Sequence, residues 1–110
     1  MFVRVPEAFV YKVCRAAEWR EATASGLYRG SDVDVRDGFI HFSTGAQLAE
    51  TLRRHFAGQR DLVLVEVAAA DLESHLRWEP SRGGDLFPHL YGDLQVSLAR
   101  RVTAVEVEGG

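Results

Sequence analysis

The apolar positions of this chain fall into short runs and two helical stretches, and their periods lay out most of an architecture. Phe9, Val10, Tyr11, Lys12, Val13 and Cys14 are dominated by aromatic and β-branched types, which predicts a first strand. Ala16 to Ala24 predicts a helix with Ala16, Ala17, Trp19 and Ala24 available for its inner face, stopped at Gly26. Leu27 to Asp37 carries Gly30, Ser31, Asp32, Asp34 and Asp37 and reads as an exposed connection. Phe39 to Phe42 predicts a second strand. Gly45 to Phe56 is the clearest helix: Leu48, Leu52 and Phe56 recur every four residues beside Ala49, while Glu50, Arg53 and Arg54 take the outer face. Gly58 is expected to close it. The near-continuous apolar run Leu62 to Val67 predicts a third strand buried on both faces. Asp71 to Ser74 suggests a helical turn, and Leu76, Arg77 and Trp78 a fourth strand. Pro80 to Asp85, with Gly83-Gly84, is a loop. Phe87 to Tyr91 is a short extended piece, and the alternation from Val102 to Val107 predicts a terminal strand. Together these make one α+β domain over residues 1–110, with a mixed, mostly antiparallel sheet and two main helices.

Composition narrows this picture little. A chain of 110 residues, 46% apolar and 26% charged, suffices for one core without covalent staples. The formal net charge of -3 gives no general reason to expect a nucleic-acid partner. The basic side chains are twelve arginines and a single lysine, Lys12. The single cysteine, Cys14, excludes an internal disulfide and a cysteine-based zinc cage, and its apolar strand context suits a small core residue. The N-terminal stretch has no long apolar segment followed by a cleavage pattern, and no run approaches the roughly 20 residues of a membrane span. A cytoplasmic protein without a membrane partner is expected.

The candidate chemistry centres on Asp37-Gly38-Phe39-Ile40-His41-Phe42-Ser43-Thr44. Strand alternation puts Phe39, His41 and Ser43 on one face, and Ile40 and Phe42 on the other, toward the core. Thr44 with Gln47 three residues on has the spacing of a capping box, so a helix begins where the strand ends. An imidazole, two hydroxyls and a helix N-terminus placed together suit a polar or anionic ligand, the structural alternative being a core histidine satisfied by a carbonyl. His89 sits in Phe87-Pro88-His89-Leu90-Tyr91-Gly92, a stiff aromatic-flanked segment that reads either as a pocket wall or as an exposed loop. Glu79, between Trp78 and Pro80, is either a carboxyl raised by the neighbouring ring to serve as acid or base, or the ion-pair partner of Arg77 or Arg82. Arg82, beside Gly83-Gly84, offers a guanidinium to a phosphate. His55 reads as a packing residue on a helix flank and His75 as part of a polar turn. No close histidine spacing supports a metal site built from His41, His55 and His89, and no metal is expected.

Taken together, Tyr11-Lys12-Val13, Trp19, the Asp37–Thr44 segment, Gln47, His55-Phe56, Trp78-Glu79 and Phe87-Pro88-His89-Leu90-Tyr91-Gly92 closely resemble the bacterial family known as domain of unknown function 952. That resemblance spans nearly the whole chain and implies a small cytoplasmic protein with no established activity. More distantly, the order strand, helix, His-Phe-Ser-Thr, helix, then Leu62 to Val67 and Asp71-Leu72, is similar to the core of RNA 2′-phosphotransferases. Those belong to the ADP-ribosyltransferase-like fold, which binds NAD in a cleft of a split sheet. The likeness implies His41 at the nicotinamide-side ribose with Ser43 or Thr44 nearby, and Lys12 or Arg82 at the pyrophosphate. It implies Glu79 or His89 stabilising an oxocarbenium-like centre or moving a proton, with Tyr91 among the ligand-binding residues. Tyr11-Lys12 stands where the first strand of those relatives carries a histidine or arginine that holds NAD, which is a departure from their pattern. The implied activity is ADP-ribosyl or 2′-phosphate transfer on NAD or on an ADP-ribosyl or phosphorylated substrate, with NAD as a substrate and no resident cofactor required. The alternative is a non-catalytic nucleotide-binding or interaction module with the same fold.

Overall fold

In the computed structural model, which describes residues 8–109, three antiparallel sheets and three helices form an α+β architecture. β1 (Phe9–Arg15) and β5 (Leu62–Ala68) pair along their full lengths, with Phe9 opposite Ala68 and Arg15 opposite Leu62. β4 (Ser43–Thr44) flanks β1 and β9 (Ala99–Val105) flanks β5, which gives the order β4-β1-β5-β9. A second sheet has the order β3-β7-β6, from β3 (Ile40–His41), β6 (Leu76–Pro80) and β7 (Leu86–Leu90). The two-residue strands β2 (Leu27–Tyr28) and β8 (Leu94–Gln95) make a small third pair. Val10, Cys14, Trp19, Tyr28, Ile40, Phe42, Val65, Val67, Leu90 and Leu94 are buried together as one core that joins all three sheets. Among the described residues no helix is long and apolar enough to cross a membrane.

α1 (Ala16–Ser25) ends as expected on Gly26, whose φ of 92° suits glycine and whose N–H donates to the Ala22 carbonyl. Its inner face is narrower than expected: Trp19 and Ala22 are buried, whereas Ala17 and Ala24 face outward. α3 (Gly45–His55) opens on the expected box, in which the Thr44 hydroxyl accepts from Gln47 N at 3.2 Å and Gln47 Oε1 accepts from Thr44 N at 3.0 Å. It closes at Phe56 rather than Gly58, since Phe56 N donates to Leu52 O. Its Leu48-Leu52-Phe56 stripe is only half-buried, because α3 covers the β1–β4 side of the sheet and borders a cleft.

Four expectations need correction. Leu27 to Asp37 is not a bare connection; it contains β2 and α2 (Asp32–Asp37), and Asp34 within it is 2% exposed. The predicted strand from Phe39 to Phe42 shrinks to Ile40–His41, and a second strand, in a different sheet, follows it at Ser43–Thr44. Ile40 and His41 pair with Leu90 and His89, then the chain turns at the buried Phe42, and Ser43 and Thr44 pair with Tyr11 and Val10. β5 is not buried on both faces: Val65 and Val67 are buried, whereas Leu64 and Glu66 on the opposite face are only half-buried, and the strand is the middle one of an antiparallel sheet. The terminal strand begins at Ala99 and ends at Val105, ahead of the predicted span.

Candidate functional site

The change of sheet at Phe42 leaves a gap. β4 pairs with β1 only at Val10 and Tyr11, so β1 from Lys12 to Arg15 runs along an opening instead of a neighbouring strand. A cleft of about 640 Å³ lies there, lined by Tyr11 and Lys12 from β1, Asp34 and Asp37 from α2, His41, Ser43, and Thr51, His55 and Phe56 along α3 and its end. Ser81 and Phe87 border it from the smaller sheet's side.

Asp34 organises the charged floor of this cleft. α2 is started by Ser31, whose hydroxyl accepts from Asp34 N at 3.4 Å while Asp34 Oδ2 accepts from Ser31 N at 2.9 Å. The same Oδ2 lies 2.7 Å from Lys12 Nζ, both side chains being almost wholly buried. The other oxygen, Oδ1, accepts from the His41 backbone N–H at 3.1 Å and meets His41 Nδ1 at 2.6 Å. Burial pushes the Asp34 carboxyl upward, but the His41 hydrogen bond and the Lys12 charge outweigh it and hold the group well below the usual aspartate range. Gly30 makes room for this carboxylate: its φ is +106°, and a Cβ there would stand 2.6 Å from Asp34 Cβ.

His41 is held from both ends. Nε2 lies 3.1 Å from Asp37 Oδ2, opposite the Asp34 contact at Nδ1, and a third of the side chain remains exposed. Both ring nitrogens thus face carboxylate oxygens. The Arg36 guanidinium, bonded to Asp37 Oδ1 at 3.0 Å, keeps the Asp37 carboxyl below its usual range.

The remaining sequence-derived candidates divide. Ser43 lines the cleft, but its hydroxyl is 2.9 Å from that of Thr51, tying β4 to α3. The Thr44 hydroxyl is occupied in the helix cap. Tyr11 is on the lining, and so is His55, which the sequence suggested only as a packing residue. His89, Glu79 and Tyr91 form a separate hydrogen-bonded group on the smaller sheet. Glu79 Oε1 is 2.8 Å from His89 Nδ1 and accepts from the Tyr91 hydroxyl at 2.7 Å. That group adjoins the cleft through aromatic contact. His41 and His89 are directly cross-strand with ring centroids 5.4 Å apart, and Phe39 stacks on His89 at 4.1 Å while touching His41 at 4.5 Å. His41, His89 and Glu79 thus form a chain of neighbours, with Arg77 opposite His89 and Glu79 reaching it diagonally, but of the three only His41 is on the cleft lining.

Glu79 differs from the raised carboxyl that Trp78 suggested. The Tyr91 and His89 hydrogen bonds lower it, and Trp78, the next residue along the strand, points to the opposite face. Arg77 sits over the Tyr91 ring, 5.6 Å from its centroid. The side chain of Arg82 lies outside the described residues. Among the described residues no group of three histidine, cysteine or acidic side chains is arranged to hold a metal ion. Sequence reasoning missed Asp34, the residue with the most contacts to this site's charged groups; the Ser31-x-x-Asp34 capping spacing was the available signal.

Comparison with known proteins agrees with this architecture. A family described as a protein of unknown function, DUF952, matches the chain over residues 13–102. Protein CC0527 from Caulobacter crescentus is 47% identical, and its crystal structure superposes with a TM-score of 0.88, covering 91% of this chain and 88% of that one. Its solution NMR structure gives a TM-score of 0.82 over 91% and 86% of the two chains. No curated protein matches.

Proposed function

We propose that this chain, which belongs to the DUF952 family, binds a ribosylated ligand of the NAD class in the cleft beside β1, as an ADP-ribosyltransferase-like protein. The observation that carries the reading is His41, a partly exposed imidazole fixed at both nitrogens on the wall of that cleft. Ribose hydroxyls donate to acceptors held at fixed positions, and the Asp37 carboxylate, held by His41 and Arg36, keeps acceptor lone pairs for them. Pre-orientation of the ring by Asp34 lowers the ordering cost of binding. The division of the protein into two sheets that meet at Phe42 supports the fold part of the reading. A cytoplasmic location, where NAD is abundant, is part of the same proposal.

Transfer chemistry follows if the ribose C1′ lies near Asp37, where a carboxylate favours an oxocarbenium-like centre as the nicotinamide leaves. His89 and Glu79 then act at most through Phe39 and His41, since neither is on the lining. Lys12 supports the second reading, a binding module without turnover: it stands where a ligand-holding residue is expected, but it is already paired with Asp34. Calorimetry with NAD, ADP-ribose and nicotinamide, followed by chromatography of the NAD pool, separates the outcomes. Heat and nicotinamide release that both vanish in His41→Ala support the enzyme. Binding without release supports the module. No heat at millimolar ligand removes both.

A further inference from the structure

We infer that the phosphates of a dinucleotide ligand leave the cleft at His41 and are met by Arg77, across the face of the smaller sheet that carries both residues. That face is then a second part of the binding site. The inference rests on the ribosyl reading above and assigns the residue that meets the phosphates.

The basic side chains on the cleft lining outside the histidines are Lys12 and Arg15, and both are engaged. Lys12 Nζ lies 2.7 Å from Asp34 Oδ2, and drawing it to a phosphate would strand a buried carboxylate. Arg15 is largely exposed and pairs with Glu18 at 3.7 Å. A phosphate at either cation competes with a carboxylate already there.

Arg77 is placed differently. His41 stands opposite His89 on β7, and His89 stands opposite Arg77 on β6. Residues directly opposite on neighbouring strands share a face. Two strand spacings separate His41 from Arg77, about 10 Å in backbone position, a span that a diphosphate bridge covers. Aromatic rings fill the ground between them. The Phe39 ring is 4.1 Å from His89 and 5.2 Å from Tyr91, and the Arg77 guanidinium lies over Tyr91, 5.6 Å from its centroid. A guanidinium stacked by its face keeps its N–H edge for a phosphate.

Arg77 is exposed, and among the described residues it has no carboxylate in ion-pair contact. Glu79, the nearest acid along its strand, has Oε1 bound to the His89 ring and the Tyr91 hydroxyl. Arg36 and Asp37, at the cleft end of the face, pair with each other. The two arginines and two carboxylates of this face therefore balance. A phosphate is drawn here by one oriented guanidinium, not by a general positive field. The His89–Glu79–Tyr91 group, which does not reach the cleft, positions the ring on which that guanidinium rests.

The experiment is a calorimetric titration of the full chain with NAD, ADP-ribose and nicotinamide riboside. Arg77→Gln is expected to weaken NAD and ADP-ribose about tenfold and to leave the riboside, which has no phosphate, within about twofold. Arg77→Lys keeps the charge without the planar fork and is expected to recover only part of the loss. Unchanged NAD affinity in Arg77→Gln overturns the inference. So does an equal loss for NAD and the riboside, which would place the effect in the sheet and not at a phosphate. A loss in Arg15→Gln with none in Arg77→Gln sends the phosphates along β1 and overturns it while leaving the ribosyl reading in place. Failure of all three ligands to bind the native chain removes both.

Discussion

Asp34 shows how one buried carboxylate sets the state of three neighbours. It neutralises Lys12, orients His41 through two contacts and closes the first turn of α2. Removing one partner of a buried pair leaves the other charge without compensation. Lys12→Met and Asp34→Asn should therefore each cost about 3–5 kcal/mol in urea unfolding. The double variant should cost clearly less than the sum, because its second change removes a charge the first had stranded. Additive losses would mean that the two groups act independently despite their 2.7 Å contact. The same site gives a direction for pH. The folded carboxyl titrates below the unfolded one, so its stabilisation is complete above about pH 4 and is lost as the pH falls through the folded-state value. Urea midpoints between pH 3 and pH 6 should fall with acidification in the native protein and fall less in Asp34→Asn. A smaller effect is expected at Glu79, whose carboxyl is lowered first by the Tyr91 hydroxyl and then by His89. Tyr91→Phe should move its titration upward, toward the ordinary glutamate value, when followed by carbon-13 NMR.

At the scale of elements, α2 is the piece on which the site depends and the one hardest to read. It has six residues, too few to persist without tertiary support. The Ser31 cap and the anchoring of Asp34 supply that support. Ser31→Ala should cost about 1 kcal/mol. Gly30→Ala should cost about 1–3 kcal/mol, because it combines a strained positive φ with a clash against Asp34 Cβ. Thermal denaturation of both variants checks this, and Gly30→Ala falling within error of the native protein would show that the loop relaxes freely. Hydrophobic patterning misses α2 for a physical reason. Its buried residue is an aspartate, and its two valines, Val33 and Val35, are 48% and 67% exposed, so the pattern that marks a helix is inverted. β1, β5 and α3 were legible because their apolar residues do face inward or toward a covered surface. The change of sheet between Ile40–His41 and Ser43–Thr44 was not, since alternation continues unbroken while the pairing partner changes from β7 to β1. His41 and Ser43 were found by their residue types. Their carboxylate partner was hidden in a stretch that looked like solvent-exposed turn.

The whole molecule depends on the joint between its two larger sheets. β3 and β4 are two residues each, so neither sheet gains much from them alone. Within the core that the sheets share, Phe42 lies at the crossing between them: it donates its backbone N–H to Pro88 O at 3.0 Å, and its side chain is 2% exposed. The cleft exists because the chain leaves one sheet for the other there, and its width is set by how firmly Phe42 holds both. Truncating this ring removes contacts to both layers and leaves a cavity that neither can fill without moving the other. Phe42→Ala should therefore cost about 3–5 kcal/mol in urea unfolding. Val102→Ala, on the outer strand β9 and 43% exposed, should stay within about 0.5 kcal/mol and serves as the control. Phe42→Leu keeps most of the volume and should remain folded, yet loosen the joint. In that variant, amide exchange at His41 and Phe42 should quicken more than at Val65 in the central strand. If exchange at all three sites rises in parallel, opening at Phe42 is simply global unfolding, and the two sheets behave as one cooperative body with a rigid cleft.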